Sequence, residues 1–502
     1  MKPEIRKHDM RKAYIFILLL LISLSGISQE NTRYLTLEDA IAIAKEKAPD
    51  ALAAKHQFRS KYWQYRTFQA TYRPKLNLNA TLPDLNRSIQ SIQQDDGSFI
   101  FRSSESASSS VNMQLSQQIG FTGGEIFMRS GVERLDIFQG DSTVTSYLST
   151  PINIGLTQPL FDFVPYKWDK EIEPLKYKEA KQSYIESMEQ VALKTTNLFF
   201  DVLMAQMRHR INKINQANND TLYKIAQGRY NIGTIAENEL LQLELQLLKS
   251  NAAVEESELT LENRLFRLKS FLKLPEEEPL ELVPPKDPPV FDAQPDRAIQ
   301  QALDNQSQAL AFERRLMQAN REVNKARLQN RFSMDVYAVY GLTQSAVDFT
   351  NAYRDPSEQQ RLSVGISVPI VDWGLAKGQI RMAESNRELV RSEVEQDRID
   401  FRQEVYLQVM QFNMQDNQLR IAAKSDTVAR KRYNVTKQRY MIGKISITEL
   451  NIAQEEKDNA QLGYIRALYD YWRNYYQLRK QTLYNFRDNR EIQVNPEELL
   501  EK

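Results

Sequence analysis

Apolar and small polar residues alternate in four short segments of the chain, residues 76–82, 152–157, 334–342 and 362–368. Because successive side chains of a strand point to opposite faces, each segment predicts a strand with one apolar and one polar face. Strands that stand between lipid and a water-filled lumen have this pattern. A half-buried sheet in a soluble domain has it as well, so the alternation alone leaves both interpretations open.

Two much longer segments, residues 167–228 and 376–438, are rich in good helix formers, and their only Gly or Pro residues are Pro174 and Gly378 near the starts and Gly228 at the end of the first. At ~1.5 Å per residue, each segment predicts a helix of about 90 Å. Each ends at a Tyr-x-x-Gly sequence, where Gly233 and Gly443 can take the left-handed conformation that ends a helix. Shorter helices are predicted at about 35–71, 238–274, 296–332 and 447–487. The loose hydrophobic spacing of Leu198, Val202, Ala205 and His209 in the first long segment indicates coiled-coil-like pairing.

The chain repeats itself at a constant offset of 210 residues. Residues 229–240 recur as 439–450, and residues 156–163 recur as 366–373. A constant offset over so long a stretch indicates two copies of one element that begins with a helix and ends in a long helical hairpin. The predicted organisation is a first repeat at 29–274, a Pro-rich linker at 275–295, a second repeat at 296–487 and a C-terminal tail at 488–502.

The first 28 residues have the composition of a secretory signal peptide. Basic residues precede an apolar run that ends near Gly26 and Ser28, which suits cleavage after Ser28. A retained N-terminal anchor is the alternative. The sequence therefore predicts an exported protein.

Charge and composition exclude several classes of function. The chain has 66 basic and 65 acidic residues, and this balance argues against binding to nucleic acid, which requires a basic face. It has no cysteine, and of its three histidines only His56 and His209 lie beyond the signal peptide. The sequence contains no phosphate loop, nucleophile motif or metal-spaced histidines, so we expect neither an enzyme nor a bound cofactor.

Together these features resemble the TolC-like outer-membrane efflux proteins. The resemblance is carried by the tandem repeat, by the strand exits at 156–162 and 366–372, and by the Arg-Tyr-x-x-Gly…Glu-Leu sequences. It implies an α+β membrane protein, a homotrimer in which each protomer gives four strands to an outer-membrane β-barrel continuous with a periplasmic α-helical coiled-coil tunnel. It also implies a periplasmic adaptor (membrane fusion) protein and an inner-membrane pump as partners, with outer-membrane lipid around the barrel.

The resemblance also assigns roles to the two helix tips, which we call tip 1 (residues 229–240) and tip 2 (residues 439–450). The tips of such proteins meet the adaptor and close the tunnel, and the corresponding residues here are Arg229, Tyr230, Gly233, Glu239, Arg439, Tyr440, Gly443 and Glu449. It implies a hydrogen bond from Tyr440 to Glu239 and a ring of Glu449 side chains around the axis. Ile445 and Ile452 stand where relatives have a basic and an acidic residue. Helix capping is the alternative role for the tip glutamates.

The strand exits contain a second set of candidate residues, Pro159, Asp162, Pro369 and Asp372. An Asp that follows a strand and precedes a long helix suits a helix cap. We therefore interpret Asp162 and Asp372 as caps and not as a catalytic pair.

The first repeat contains an extra stretch that the family pattern does not explain. Residues 111–119 match residues 152–160, and Gly120–Gly124 supply a turn, so a duplicated hairpin is predicted at 107–138. If it joins the barrel, each protomer has six strands and a trimer has eighteen. Arg129 and Glu133 share a face with Phe127 and Leu135, which suits lipid poorly, and the alternative places the hairpin above the membrane or inside the lumen.

The function that the sequence predicts is an exit duct in the outer membrane for an efflux or type I secretion system. The alternative is a secreted coiled-coil adhesin or cell-envelope spacer without a transport lumen.

Overall fold

A computed structural model describes residues 33–139, 142–286 and 288–494, so the predicted signal peptide lies outside the described residues. The chain divides into two compact units. The tip unit contains the described residues up to Lys55, together with Ile185–Ala302 and Val405–Val494. The strand unit contains His56–Tyr184 and Leu303–Glu404.

Eight α-helices lie in the described ranges, and the two long ones begin and end close to the expected residues. They are α1 (Leu37–Lys47), α2 (Pro49–Thr71), α3 (Tyr166–Asn231), α4 (Glu237–Leu272), α5 (Pro295–Asn305), α6 (Ser307–Gln329), α7 (Leu375–Met441) and α8 (Ile447–Thr482). None of these helices has a stretch both long and apolar enough to cross a membrane.

The opening helix of each repeat differs from the single helix that was predicted. In the first repeat the chain breaks at Ala48, with ψ of 144°, because Pro49 disfavours the helical conformation of the residue before it. In the second repeat it breaks at Gln306, with ψ of 145°, where no proline follows. The last helix also ends earlier than expected, because Leu483 takes φ of 47°. The pair of two-residue strands β9 (Tyr484–Asn485) and β10 (Arg490–Glu491) follows it.

The strand unit contains one antiparallel sheet of six strands in the order β2-β3-β4-β5-β7-β8. These strands are β2 (Lys75–Gln93), β3 (Phe99–Ile119), β4 (Gly124–Gln139), β5 (Ser142–Leu160), β7 (Ser333–Ala346) and β8 (Ser357–Ser367). Two further short strands, β1 (Arg33–Leu35) and β6 (Leu280–Leu282), pair in parallel in the tip unit, so the Pro-rich linker contains one strand.

The predicted extra hairpin is formed by β3 and β4, and it lies within the sheet. The chain reverses between these strands at Gly120–Gly123, where Gly123 has φ of 78°. On one side β3 pairs with β2 over seventeen residue pairs, and on the other β4 pairs with β5. The hairpin is therefore continuous with the strands that flank it.

A buried charge cluster joins three helices of the tip unit. Glu189 of α3 is fully buried, and its carboxylate accepts hydrogen bonds from Lys45 of α1 at 2.7 Å and from Arg479 of α8 at 2.9 Å. A buried carboxylate is tolerated when it is paired and hydrogen-bonded, so this cluster fixes the register of the three helices.

Candidate functional site

Both tips reverse the chain through the same backbone geometry. Gly233 and Gly443 each have φ of 72°, and each N–H donates to the carbonyl three residues earlier, at 2.8 and 2.9 Å. The next N–H groups, of Thr234 and Lys444, donate to the carbonyls of Arg229 and Arg439 at 2.9 and 3.0 Å. This is the Schellman arrangement that ends a helix at a left-handed residue. Both tips lie in the tip unit.

The helices that leave the two tips begin differently. At tip 2 the Ser446 side chain accepts from the Glu449 N–H at 3.4 Å and so caps α8. At tip 1 the corresponding residue, Ala236, offers no side-chain acceptor to the first turn of α4. Glu239 and Glu449 lie in the first turns of these helices, where a carboxylate interacts favourably with the helix dipole.

Arg229 of tip 1 reaches across to tip 2. Its guanidinium donates to the carbonyl of Met441 at 2.6 Å, which is at the end of α7, and lies 5.8 Å from the ring centre of Tyr440. A carbonyl at a helix C-terminus has no partner within the helix, so the arginine supplies one. This contact joins the two tips within one chain.

Tyr440 is buried, with 3% of its surface exposed, whereas Tyr230 at the equivalent position of tip 1 is 40% exposed. Tyr440 packs in an apolar cluster beneath the tips that draws on all four helices of the two hairpins. The buried members of this tip cluster are Leu222, Ala226, Leu243, Tyr433, Tyr440, Ile447, Leu450 and Ala453.

Burial raises the pKa of the Tyr440 hydroxyl, and the nearby Glu239 carboxylate raises it further, while Arg229 opposes the rise. Glu239 is thus close enough to act on Tyr440 electrostatically. Among the hydrogen bonds of the described ranges none joins the two side chains, and the Tyr440–Glu239 bond stays a prediction. Glu449 and Arg439 are exposed on the single chain, and a ring of Glu449 side chains also stays a prediction.

The two departures from the family pattern differ in their surroundings. Ile445 packs against the tip cluster, so an apolar contact stands where relatives have a basic residue. Ile452 is 46% exposed on α8.

The strand exits place their aspartates differently. The Asp372 carboxylate accepts from the N–H groups of Ala376 and Gly374, each at 3.0 Å, and these bonds hold the pKa of Asp372 below its usual range. It therefore caps α7. The Asp162 carboxylate accepts a hydrogen bond from the neighbouring Phe163 N–H at 2.7 Å. The first amide groups of α3 instead donate to the backbone carbonyls of Val164 and Pro165.

The prolines of the exits differ as well. Pro159 lies within β5 opposite Asp335, whereas Pro369 follows the end of β8.

Sequence analysis did not anticipate the tip cluster or the contact between Arg229 and Met441. The cluster had a signal, because Leu243, Ile447 and Leu450 lie on the first turns of the returning helices at helical spacing. The contact between Arg229 and Met441 had no signal in the sequence, because its acceptor is a backbone carbonyl.

Residues 298–482 match the family described as "Outer membrane efflux protein". This range covers most of the second repeat. No curated protein sequence is significantly similar to the chain.

Several solved structures are similar to the whole chain. The outer membrane channel CmeC of Campylobacter jejuni matches with a TM-score of 0.65 at 16% identity, over 93% of this chain and 88% of that chain. The outer membrane protein VceC of Vibrio cholerae gives 0.61 at 11% identity, over 91% and 97%. The open state of the outer membrane channel MtrE of Neisseria gonorrhoeae gives 0.59 at 15% identity, over 89% and 88%. At these identities the likeness establishes a shared fold.

Proposed function

Because residues 298–482 match the outer membrane efflux protein family, we propose that this chain is the outer-membrane exit duct of a tripartite efflux or type I secretion system. In this role it receives cargo from an inner-membrane pump through a periplasmic adaptor protein and releases it outside the cell. This match supports the resemblance inferred from the repeat, together with an outer-membrane location and a transport role without enzymatic activity.

The observation that carries the proposal is the open sheet of the strand unit. Within the described part of the chain β2 pairs only with β3 and β8 only with β7, so the outer edges of the sheet are unpaired. One face carries exposed large apolar residues on both edge strands, such as Leu76, Leu78, Leu362 and Ile366. Unpaired edges and an exposed apolar face are both unfavourable in water, and a closed barrel in lipid removes both.

We propose that three copies close this barrel, the β2 edge of one copy pairing with the β8 edge of the next. A head-to-tail contact of this kind forms a closed ring when the rotation between copies closes. The number three comes from the family resemblance.

The two tips form the gate and the adaptor-docking surface in this proposal. Three Glu449 carboxylates converge on the axis and favour cations, as acidic rings do in channels. Tyr440 and Glu239 hold the shut state through the hydrogen bond that the family resemblance implies.

Native mass measurement in detergent tests the assembly directly. The proposal predicts a trimer that resists mild heating and shifts in gel mobility on boiling, because closed barrels unfold only on strong heating. A stable monomer as the main species would contradict the duct. The adhesin or spacer alternative predicts no heat-modifiable species in outer-membrane extracts.

A further inference from the structure

We infer that the extra hairpin is part of the membrane-spanning wall, so that the ring has eighteen strands and its outer-membrane section is wide enough for bulky hydrophilic solutes. This inference rests on the proposed duct. It adds the width and the lining of the barrel, which the duct itself does not specify.

A continuous row of apolar side chains crosses the hairpin. Residues that stand directly opposite on neighbouring strands point to the same face of a sheet. The register places five large apolar side chains on five successive strands in one such row: Leu76, Leu115, Met128, Ile154 and Tyr340. All five are between 39% and 66% exposed on the single chain. The hairpin strands β3 and β4 therefore present to their surroundings the same apolar surface as their neighbours.

The height of this apolar surface on β2 matches the length of strand that crosses a membrane. On β2 it runs from Leu76 to Leu85, and about 9–11 residues are what a tilted strand needs to cross a membrane. Charged residues begin directly above it on the same face. Arg87 pairs with Glu105 at 2.5 Å, and Arg134 of β4 pairs with Asp136 at 2.9 Å. Arg134 stands opposite Ser109, four residues along β3 from Glu105, so charged residues bound the apolar surface on both strands and begin nearer to the helices on β4.

Arg129 and Glu133 are the two charged residues that, from the sequence, share a strand face with the apolar Phe127 and Leu135. Arg129 stands opposite Gln114 and Asn153, in a row that also contains Asn77 and Gly341, and its Nε donates to Gln114 at 3.0 Å. Glu133 stands opposite Ser110 on the same face. Both charges therefore lie on the polar face. The hairpin can enter the wall without exposing them to lipid.

The lining of the polar face identifies the class of solute. On β3 every polar-face position from 104 to 118 is an uncharged hydroxyl or amide residue: Ser104, Ser106, Ser108, Ser110, Asn112, Gln114, Ser116 and Gln118. On β4 the same face carries Glu125, Arg129 and Glu133, so the lining of the hairpin is hydrophilic and includes charges of both signs. Barrel diameter grows roughly in proportion to strand number, so eighteen strands give about 1.5 times the width of twelve. A wide section with this lining suits solutes that are large and hydrated.

Deletion of residues 111–151 gives the matched comparison. It joins Ser110 to Ile152, whose following residues repeat the Val111-Asn-Met-x-Leu pattern, so the fused strand keeps its apolar and polar faces. Intact and deleted proteins are compared in planar bilayers, with polyethylene glycols of graded size added on the external side only. We expect the largest polymer that enters the intact barrel to have a radius about 1.5 times that for the deleted form. Equal cut-offs would overturn the inference, whereas an intact trimer that does not conduct would overturn the duct itself.

A second measurement does not depend on whether the deleted form folds. The chain has no cysteine, so single substitutions carry spin labels without background. Labels at Val111→Cys, Met113→Cys and Leu115→Cys should be relaxed by oxygen dissolved in lipid, and labels at Asn112→Cys and Gln114→Cys by a water-soluble nickel reagent. Leu78→Cys and Asn79→Cys on β2 are the matched controls. Uniform access of the nickel reagent to all β3 labels, with alternation preserved on β2, would refute a hairpin in the wall.

Discussion

The two tips are nearly identical in backbone and differ in what their side chains contact. Both glycines have φ of 72°, and both tips close through the same pair of hydrogen bonds. Yet Tyr440 is 3% exposed and Tyr230 is 40% exposed, although both occupy the same position of the repeated motif. Arg229 bonds across to Met441, while Arg439 lies exposed at the equivalent position.

Two different factors determine the structure of the tips. Local sequence determines where the chain reverses, because a glycine after a helix end permits the left-handed turn. Packing between the hairpins determines which tyrosine is buried, because most of the apolar side chains around Tyr440 come from the other three helices. The two tips therefore share the same turn geometry and differ in how their side chains pack.

The largest expected difference between the tips concerns the two tyrosines. Tyr440→Ala should lower the stability of the tips by about 3 kcal/mol, because it removes a large side chain from a packed cluster. Tyr230→Ala, the matched control, should change it by less than about 0.5 kcal/mol. Hydrogen exchange of the backbone amides in α7 and α8 near tip 2 measures this loss. Equal losses at both positions would mean that the tips are packed alike.

The glycines should behave alike. Gly233→Ala and Gly443→Ala should each cost about 1–2 kcal/mol, because the left-handed conformation is strained for a residue with a Cβ. A Cβ at either position meets no atom within 4 Å, so conformation alone causes the loss. Gly228→Ala, in the last turn of α3 where a Cβ meets no neighbour, is the control and should raise stability by roughly 0.5–1 kcal/mol. A large inequality between the two tips would show that one turn carries strain that the other lacks.

The arginines should differ by less than the tyrosines. Arg229→Met should cost about 1 kcal/mol, because it leaves the Met441 carbonyl without its charged donor. Arg439→Met should leave stability within about 0.5 kcal/mol of the parent. Denaturant titration followed by hydrogen exchange at the tips distinguishes them. If Arg439→Met costs as much, the contact across the tips is not what stabilises them.

The smallest expected effect is a dependence on pH. The pKa of Tyr440 is raised in the folded chain, chiefly by burial, so its contribution to stability is complete below its ordinary value of 10.0 and is lost as the pH rises above it. The decline should not exceed ~1.4 kcal/mol per pH unit. Tyr440→Phe should remove this part of the alkaline decline, and an unchanged decline in that variant would assign it to other groups.

Much of the fold could be predicted because its signals are local. The constant offset of 210 residues located both hairpins, and the match between residues 111–119 and 152–160 located the extra strands. The break at Ala48 also had a signal in the proline that follows it. The break at Gln306 had none, and only the packing of the second repeat reveals it.

The site could be predicted only in part. The tip residues were found from their repeated motif, but that motif contains a tyrosine in both copies and cannot say which one is buried. The bond from Arg229 to Met441 depends on how two hairpins approach each other, and its acceptor is a backbone atom that every residue possesses. Such contacts become visible only in three dimensions.

The central claim is that copies of this chain form a transport duct, and single-channel recording from purified trimers in planar bilayers tests it most directly. The account predicts discrete, cation-preferring openings, blocked by multivalent cations on the periplasmic side. Glu449→Gln should conduct with weaker cation preference and weaker block. Stable trimers that insert into the bilayer and never conduct would contradict the account.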